Sequence, residues 1–187
     1  VPSDMVIRLI GDKARARARL VQGGLEVLPG SQGSLESVEQ ALEVASGIGY
    51  PVIVKAAAGG GGRGMRIVSG PDDLSSAFST AENEARLAFG VSDLYLEKYL
   101  ERPRHIEFQV MGDQYGKVVH FGERECSIQR RHQKLVEESP SVIVDEDVRA
   151  RIGSQVETAL AEVGYSGAGT MEFLVDEDRK FYFMEMN

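Results

Sequence analysis

The sequence predicts an α+β protein in which a small subdomain of mixed helices and strands precedes a region of antiparallel strands. Three observations support this class. Residues 51–100 combine short β-rich runs with a helical stretch, residues 104–111 alternate apolar and polar side chains, and residues 170–186 form two strand-like runs around a polar turn. With 187 residues, the chain is long enough to bury a substantial core.

The N-terminal part of the sequence is predicted to be helical. Residues 5–22 have helical character with an interruption near Gly11, where Asp12 would cap the second segment. Ser34 is predicted to cap the next helix, because apolar residues recur after it at helical spacing: Val38, Ala41, Leu42, Ala45 and Ile48.

The middle of the sequence predicts a β-α-β-loop-β-α-β order. A β-rich run over residues 51–55 leads into the glycine run 59–64, and a second strand follows at 65–68. Pro71 opens a helix, and residues 94–100 form another strand. The glycines therefore join two strands of one small α+β subdomain.

The second half of the sequence predicts antiparallel strands and one long helix. Strict alternation in 104–111 places apolar side chains on one face and polar ones on the other: Ile106, Phe108 and Val110 against His105, Glu107 and Gln109. A short strand is predicted at 118–121 and an amphipathic helix at 145–163.

The last residues predict a β-hairpin with a carboxylate-bearing face. A turn at residues 176–179 would pair Val175 with Lys180, and this register sets Glu172 opposite Phe183 and Thr170 opposite Glu185. Both glutamates then become diagonal neighbours, with Asn187 on the same face. Two carboxylates and an amide are ligands suited to Mg²⁺, although a solvated hairpin face would have the same pattern.

Composition and charge exclude several classes of function. The formal net charge of −8 argues against a nucleic-acid-binding protein. No apolar run approaches membrane-spanning length, and the N-terminus lacks a signal-peptide pattern, so we expect an intracellular protein without a membrane partner. The single cysteine, Cys126, excludes an internal disulfide and fits a reducing compartment.

The glycine run is the first candidate site. Consecutive glycines let backbone N–H groups approach phosphates, and Lys55 before the run could neutralise phosphate charge. A dinucleotide-binding motif would open a helix, whereas a strand follows here; a P-loop would end in Gly-Lys-Ser/Thr. A flexible hairpin tip and a surface lysine remain the alternatives.

A basic cluster within residues 123–134 is the second candidate site. It is formed by Arg124, Arg130, Arg131, His132 and Lys134. In an acidic protein such a cluster suits a nucleotide phosphate or a small oxyanion, although an exposed basic loop would look the same. His105 and Glu107 have the H-x-E spacing of zinc deaminases, but the cysteines that complete that motif are missing.

Together these segments resemble the biotin carboxylases of the ATP-grasp superfamily. The resemblance covers essentially the whole chain and is most specific in Glu-Arg-Glu-Cys-Ser-Ile-Gln-Arg-Arg-His-Gln-Lys over 123–134 and in Phe-Met-Glu-Met-Asn over 183–187. It implies a helical lead-in over 1–26, an ATP-grasp lid over 27–99, and a larger antiparallel-sheet subdomain over 100–187. It also implies truncation at both ends, since the family has an N-terminal domain and a bicarbonate-binding stretch beyond Asn187.

The resemblance implies a role for each matching residue. Lys13, Lys55, Gly61 and Gly62 would contact ATP phosphates. Glu97, Lys98, Tyr99 and Leu100 would hold the adenine, and His105, Gln129, His132 and Leu174 would line the nucleotide pocket. Glu172, Glu185 and Asn187 would bind Mg²⁺ or Mn²⁺ beside the nucleotide, and Lys134 would face bicarbonate.

The implied reaction is that of an ATP-dependent ligase: ATP and bicarbonate form carboxyphosphate, which carboxylates biotin on a carrier protein or domain. A carboxyltransferase subunit or domain would then use the product. The parent enzyme is expected to be a homo-oligomer in the cytoplasm, or in the mitochondrial matrix of a eukaryote, and this chain alone is expected to be inactive. A carbamoyl-phosphate-synthetase-like or urea-carboxylase-like ligase, or a non-catalytic nucleotide-binding module, remains the alternative.

Overall fold

The computed structural model describes residues 1–11, 13–57, 64–131 and 133–187, with the side chains of Lys13 and Ala14 left out. The predicted cap Asp12, the predicted phosphate contacts Gly61 and Gly62, and His132 lie outside the described residues. The chain divides into two compact units: Val1–Val27, Arg102–Arg130 and Lys134–Asn187 form the larger, and Leu28–Glu101 with Arg131–Gln133 form the smaller.

Five helices and eight strands are assigned within the described residues. The helices are α1 Asp4–Gly11, α2 Lys13–Gln22, α3 Val38–Ile48, α4 Pro71–Phe89 and α5 Glu146–Glu162. The strands are β1 Val52–Ala56, β2 Met65–Val68, β3 Leu94–Lys98, β4 Arg104–Gly112, β5 Val118–Arg130, β6 Gln133–Glu138, β7 Gly167–Val175 and β8 Phe181–Met186. None of these helices combines the length and the apolar character that crossing a bilayer requires.

The smaller unit is a three-stranded antiparallel sheet in the order β2-β1-β3, packed with α3 and α4. Its core comes from the apolar faces of the two helices and from β1, whose first three residues are buried. The helix α3 is capped by Ser37, whose hydroxyl accepts a hydrogen bond from Gln40 N at 3.2 Å. The predicted cap Ser34 is wrong, because the adjoining Leu35 pairs with Leu94 and holds the chain extended there.

The larger unit is a five-stranded antiparallel sheet in the order β6-β5-β4-β7-β8. The central strand β4 shows the predicted alternation, since Ile106, Phe108 and Val110 are fully buried in the core. The helix α5 packs on this core face and begins after Asp145, whose carboxylate accepts a hydrogen bond from Val148 N at 2.9 Å. The predicted helix at 145–163 is therefore confirmed to within one residue at each end.

The strand β5 is much longer than predicted, since it runs on from the expected 118–121 to Arg130. Two features hid this extension. Gly122 has a positive φ of 87°, which interrupts the alternation, and two charged residues, Glu123 and Glu125, lie buried on the core face beyond it. A strand with charges on its buried face has no alternating apolar signal.

The register of the terminal hairpin differs from the prediction. Phe181 rather than Lys180 opposes Val175, and Glu185 rather than Phe183 opposes Glu172. Between the pairs Phe173–Phe183 and Glu172–Glu185, β8 contains one additional residue, Met184, which forms a bulge. Cross-strand partners share a face, so the two glutamates still lie on the same side of the sheet.

Candidate functional site

The polar face of the larger sheet gathers most of the predicted site residues. His105, Glu107 and Gln109 project from the central strand β4 on the side opposite the core. Neighbouring strands place a charged partner on each side of Glu107: Arg124 on β5 and Glu172 on β7 are its directly paired residues. The antiparallel ladder therefore sets these side chains in one row across three strands.

Lys134, the predicted bicarbonate contact, joins two carboxylates of this row. Its Nζ donates to Glu172 Oε1 at 2.7 Å and also to Glu107 Oε2. Burial by itself lowers the pKa of Lys134, but the hydrogen bonds to the two carboxylates outweigh burial and raise that pKa above its ordinary value. Lys134 is consequently a fixed ammonium at neutral pH.

Glu172, a predicted metal ligand, is buried and receives three hydrogen-bond donors. His105 Nε2 lies 2.5 Å from its Oε2, and its Oε1 accepts from Lys134 and, at 2.7 Å, from Asn187 Nδ2. Burial raises the pKa of Glu172, but the hydrogen bonds from His105 and Lys134, together with the charge of Lys134, prevail and lower it to about 2. The carboxylate is therefore ionised at any physiological pH.

Gln129 orients the imidazole of His105. Its Nε2 lies 2.7 Å from His105 Nδ1 and also donates to the carbonyl oxygen of Cys126 at 2.9 Å. Because an amide nitrogen only donates, Nδ1 must accept, so Nε2 carries the proton and donates to Glu172. Gln129 and His105, both assigned to the nucleotide pocket, thus contact each other, and His105 also contacts the predicted metal ligand Glu172.

Glu185 and Asn187 lie beside Glu172 at the end of the hairpin. Glu185 is half-buried in an otherwise apolar strand and directly opposes Glu172. The backbone of Asn187 exchanges two hydrogen bonds with Thr170, at 2.7 and 2.9 Å, which extends the ladder past the end of β8. The structure thus brings the three predicted metal ligands to one end of one strand pair, as a set of hard oxygen donors.

A second group of possible ligand atoms lies nearby but is unsuited to a metal. One ligand atom from each of Glu107, Cys126 and Glu137 lies within 4.8 Å of the others. Burial, assisted by the charge of Glu107, raises the pKa of the Cys126 thiol to about 12, which disfavours the thiolate that coordinates metals.

Glu107 had no predicted role, and Arg124 was predicted only as one member of the basic cluster in residues 123–134. Glu107 is buried, and Arg124 Nε donates to its Oε1 at 2.6 Å. Their signal was available: the alternation in β4 already placed Glu107 between His105 and Gln109 on the polar face. The partnership with Lys134 was hidden, because it depends on a strand order that the sequence does not reveal.

The smaller unit contains a further group of the described candidates. Lys55 Nζ lies 2.5 Å from Glu97 Oε2, and it also lies over the ring of Tyr95, 5.9 Å from the ring centroid. Lys98 Nζ donates to the carbonyl oxygens of Gly49 at 3.1 Å and Tyr50 at 2.9 Å.

The other assigned positions do not all join these contacts. Tyr99 continues β3 by donating its backbone N–H to Pro51 O at 3.1 Å, and Leu100 follows it half-buried. Leu174, in the larger unit, is half-buried on β7 opposite His105. The structure therefore groups Lys55 with Glu97, and the nucleotide roles assigned to all of these residues stay predictions.

Known proteins resemble this chain along its entire length. Residues 12–187 match the family model described as carbamoyl-phosphate synthase L chain, ATP binding domain. A biotin carboxylase from Nostoc sp. is 52% identical over 186 residues, which cover 100% of this chain and 42% of that protein.

Two solved structures share the fold. One is the biotin carboxylase domain dimer of Hydrogenobacter thermophilus 2-oxoglutarate carboxylase in complex with MgADP, ADP and bicarbonate, with a TM-score of 0.94, 54% identity, and coverage of 100% of this chain and 41% of that one. The other is a biotin carboxylase–beta-gamma-ATP complex from Campylobacter jejuni, with a TM-score of 0.94, 53% identity, and coverage of 100% and 42%. The expected α+β, ATP-grasp fold is confirmed, and the chain spans less than half the length of these relatives.

Proposed function

We propose that this chain is the ATP-binding portion of a biotin carboxylase. The chain belongs to the family described as carbamoyl-phosphate synthase L chain, ATP binding domain. In this proposal the protein that contains it activates bicarbonate with Mg·ATP. The carboxyphosphate formed then carboxylates biotin held by a carrier protein or domain. The proposal is supported by the nucleotide, magnesium and bicarbonate bound in the Hydrogenobacter relative.

The arrangement around Lys134 is the single observation that carries this proposal. Its ammonium is fixed between two buried carboxylates, and one of them, Glu172, is also the central member of the oxygen-donor set with Glu185 and Asn187. A cation held beside a metal-binding set can receive a small oxyanion next to a metal-bound phosphate. Phosphoryl transfer depends mainly on such positioning and charge stabilisation.

The oxygen-donor set fits a divalent cation such as Mg²⁺ or Mn²⁺. Glu172, Glu185 and Asn187 would hold the ion, since hard cations prefer carboxylate and amide oxygens. The low pKa of Glu172 keeps its negative charge available at neutral pH. The ion would supply charge stabilisation to the phosphate oxygens, while the protein residues orient one another through the hydrogen bonds described above.

The nucleotide roles implied by the resemblance complete this proposal. Lys13, Lys55, Gly61 and Gly62 would contact the phosphates, with Lys55 directed by its ion pair to Glu97. Glu97, Lys98, Tyr99 and Leu100 would hold the adenine, while His105, Gln129, His132 and Leu174 would line the pocket. Residues 27–99 would act as the lid, and residues 1–26 and 100–187 would belong to the body of the enzyme.

The wider proposal concerns partners and location. A carboxyltransferase subunit or domain would use the carboxybiotin, the enzyme would be a homo-oligomer, and the cytoplasm or the mitochondrial matrix would be its compartment. A carbamoyl-phosphate-synthetase-like ligase is the second candidate, because the matching family model has that name. Both ligases would activate bicarbonate, so biotin dependence separates them.

The test is bicarbonate-dependent ADP release by the full-length protein that contains this chain, with and without free biotin. We expect biotin to accelerate ADP release and Lys134→Gln to reduce the rate by about 10²–10³, the cost of losing one charge-stabilising donor. Lys117→Gln, at an exposed turn position, is the matched control and should retain the wild-type rate. Bicarbonate-dependent release that ammonia rather than biotin stimulates would favour the second candidate, and release independent of bicarbonate would contradict both.

A further inference from the structure

Arg124 occupies a central position in the row of charges on the polar face. It lies on β5 directly opposite Glu107, and its Nε donates to Glu107 Oε1 at 2.6 Å. A second nitrogen of the same guanidinium donates to Gln109 Oε1 at 3.0 Å, and Glu137 Oε2 lies 3.3 Å from Nε. The guanidinium therefore holds two neighbouring side chains of β4 at once.

The charges around Lys134 show why the position of Arg124 matters. The Lys134 ammonium contacts two buried carboxylates, those of Glu107 and Glu172. These three groups alone have a net negative charge, which would repel an anion from the lysine. Arg124 adds the second cation that makes the set of these four residues neutral, and buried charges interact strongly because water screens them little. Glu137, the other carboxylate near Arg124, is 46% exposed, so water screens its charge more.

We infer that Arg124 is a positioning residue for bicarbonate, an inference that rests on the proposed function. It neutralises Glu107, so that the Lys134 ammonium keeps its attraction for an oxyanion. Arg124 also occupies Oε1 of Glu107, so that Lys134 donates to Oε2. This fixes the direction from which the Lys134 ammonium contacts the carboxylate. Arg124 itself need not contact the substrate.

The planar fork of arginine is suited to this task in a way that lysine is not. Glu107 and Gln109 are two residues apart on one strand and share a face, so a rigid fork can reach both. Gln109 is in turn anchored to the next strand, because its Nε2 donates to Gly169 O at 2.9 Å. The guanidinium is thus held in place across β5, β4 and β7.

A purely structural role would have different consequences. Glu107 would still have Lys134 as a partner after loss of Arg124, and a structural role predicts only a lower stability of the fold. A matched arginine exists on the same strand pair: Arg104 NH1 donates to buried Glu125 Oε1 at 2.6 Å, on the core face. Removing Arg104 also deprives a buried glutamate of its arginine partner, but this pair lies on the core face rather than on the polar face. Arg104 is therefore the matched control for Arg124.

The experiment compares Michaelis constants in the full-length protein that contains this chain. We expect Arg124→Gln to raise the KM for bicarbonate on the order of tenfold, because one compensating charge is lost close to the anion. The KM for ATP should stay within about twofold, since its proposed contacts remain. Arg124→Lys should give an intermediate KM for bicarbonate, and Arg104→Gln should leave both constants near the wild-type values.

A double variant separates charge compensation from structural support. If Arg124 acts by neutralising Glu107, then Glu107→Gln combined with Arg124→Gln should lower the KM for bicarbonate again, whatever its effect on kcat. An unchanged KM for bicarbonate in Arg124→Gln, or no recovery in the double variant, would overturn the inference. If Arg124→Gln does not fold, Arg124→Lys and the double variant decide the question by the same criteria. A wild type without bicarbonate-dependent ATP cleavage would instead overturn the proposed function, and the inference with it.

Discussion

Replacing Glu172 with glutamine should remove a defined part of the pH dependence of stability. In the folded chain the pKa of Glu172 is about 2, because the hydrogen bonds from His105 and Lys134 and the charge of Lys134 outweigh the burial that raises it. In the unfolded chain the pKa of the carboxyl returns to its ordinary value of 4.5. A carboxylate with a depressed pKa stabilises the fold above pH 4.5, and this contribution is lost as the pH falls toward 2.

The magnitude follows from the two pKa values. A fall from 4.5 to about 2 corresponds to about 3 kcal/mol of stabilisation at neutral pH. Roughly 2 kcal/mol of this should already be lost at about pH 3, where the unfolded state is almost fully protonated at this position. Solvent screening reduces this stabilisation only slightly, because only 4% of the Glu172 side chain is exposed.

The assay is urea unfolding of the wild type and of Glu172→Gln at pH values from about 7 to 3, with the free energy of unfolding extrapolated to water. We expect the difference between the two proteins to shrink by about 2 kcal/mol over this range, because glutamine does not titrate. Glu177→Gln is the control for a carboxylate-to-amide change, since that side chain is 81% exposed. A wild-type-to-variant difference that stays constant across the range would refute the assignment of a strongly depressed pKa to Glu172.

Two further substitutions test the packing on the core face. Arg149→Leu should destabilise the fold by about 3–5 kcal/mol in urea unfolding, because it leaves the Glu123 carboxylate, with 0% side-chain exposure, without its bidentate partner. Adding Glu123→Leu should recover most of the loss, and a double variant as unstable as the single one would contradict this account. Gly153→Ala should destabilise the fold by about 1–3 kcal/mol, because a Cβ at this position in α5 would lie 2.3 Å from His120 Nε2. Gly47→Ala in α3 is the comparison: its Cβ would meet no atom within 4 Å, so this change should stabilise the fold by up to about 1 kcal/mol. Equal changes in thermal stability for the two glycine variants would contradict the close approach of His120.

The central strand of the larger sheet could be predicted because both of its faces obey simple rules. On the core side, Phe108 and its apolar neighbours are buried, and the polar side chains between them occupy the opposite face. A period of two survives in the sequence when a strand has one apolar face. The same rule failed for β5, where Glu123 is buried and paired with Arg149, a residue 26 positions away. No local pattern reports such a distant partner.

The hairpin shows how a wrong register can still assign the right face. The predicted pairing placed Glu172 against Phe183, whereas the observed strand shifts at the turn and again at Met184. A single shift by one residue would have moved Glu185 to the opposite face, but the bulge at Met184 restores it. A bulge depends on the packing of neighbouring strands, so the sequence of the hairpin alone does not disclose it.

The contact between Lys134 and Glu172 depends on the shape of the whole sheet. Lys134 lies on β6 and Glu172 on β7, with β5 and β4 between them. Adjacent strands are about 4.8 Å apart, so three spacings would separate the two backbones by roughly 14 Å in a flat sheet. Nevertheless Lys134 Nζ lies 2.7 Å from Glu172 Oε1, and it contacts Glu107 of β4 on the way. Two long side chains that reach toward each other close most of this gap, and the twist that is general in β-sheets brings them nearer. The charge cluster is therefore a property of the assembled sheet. For this reason Lys134 and Glu172 could each be predicted from the sequence as site residues, but their contact with each other and with Glu107 could not.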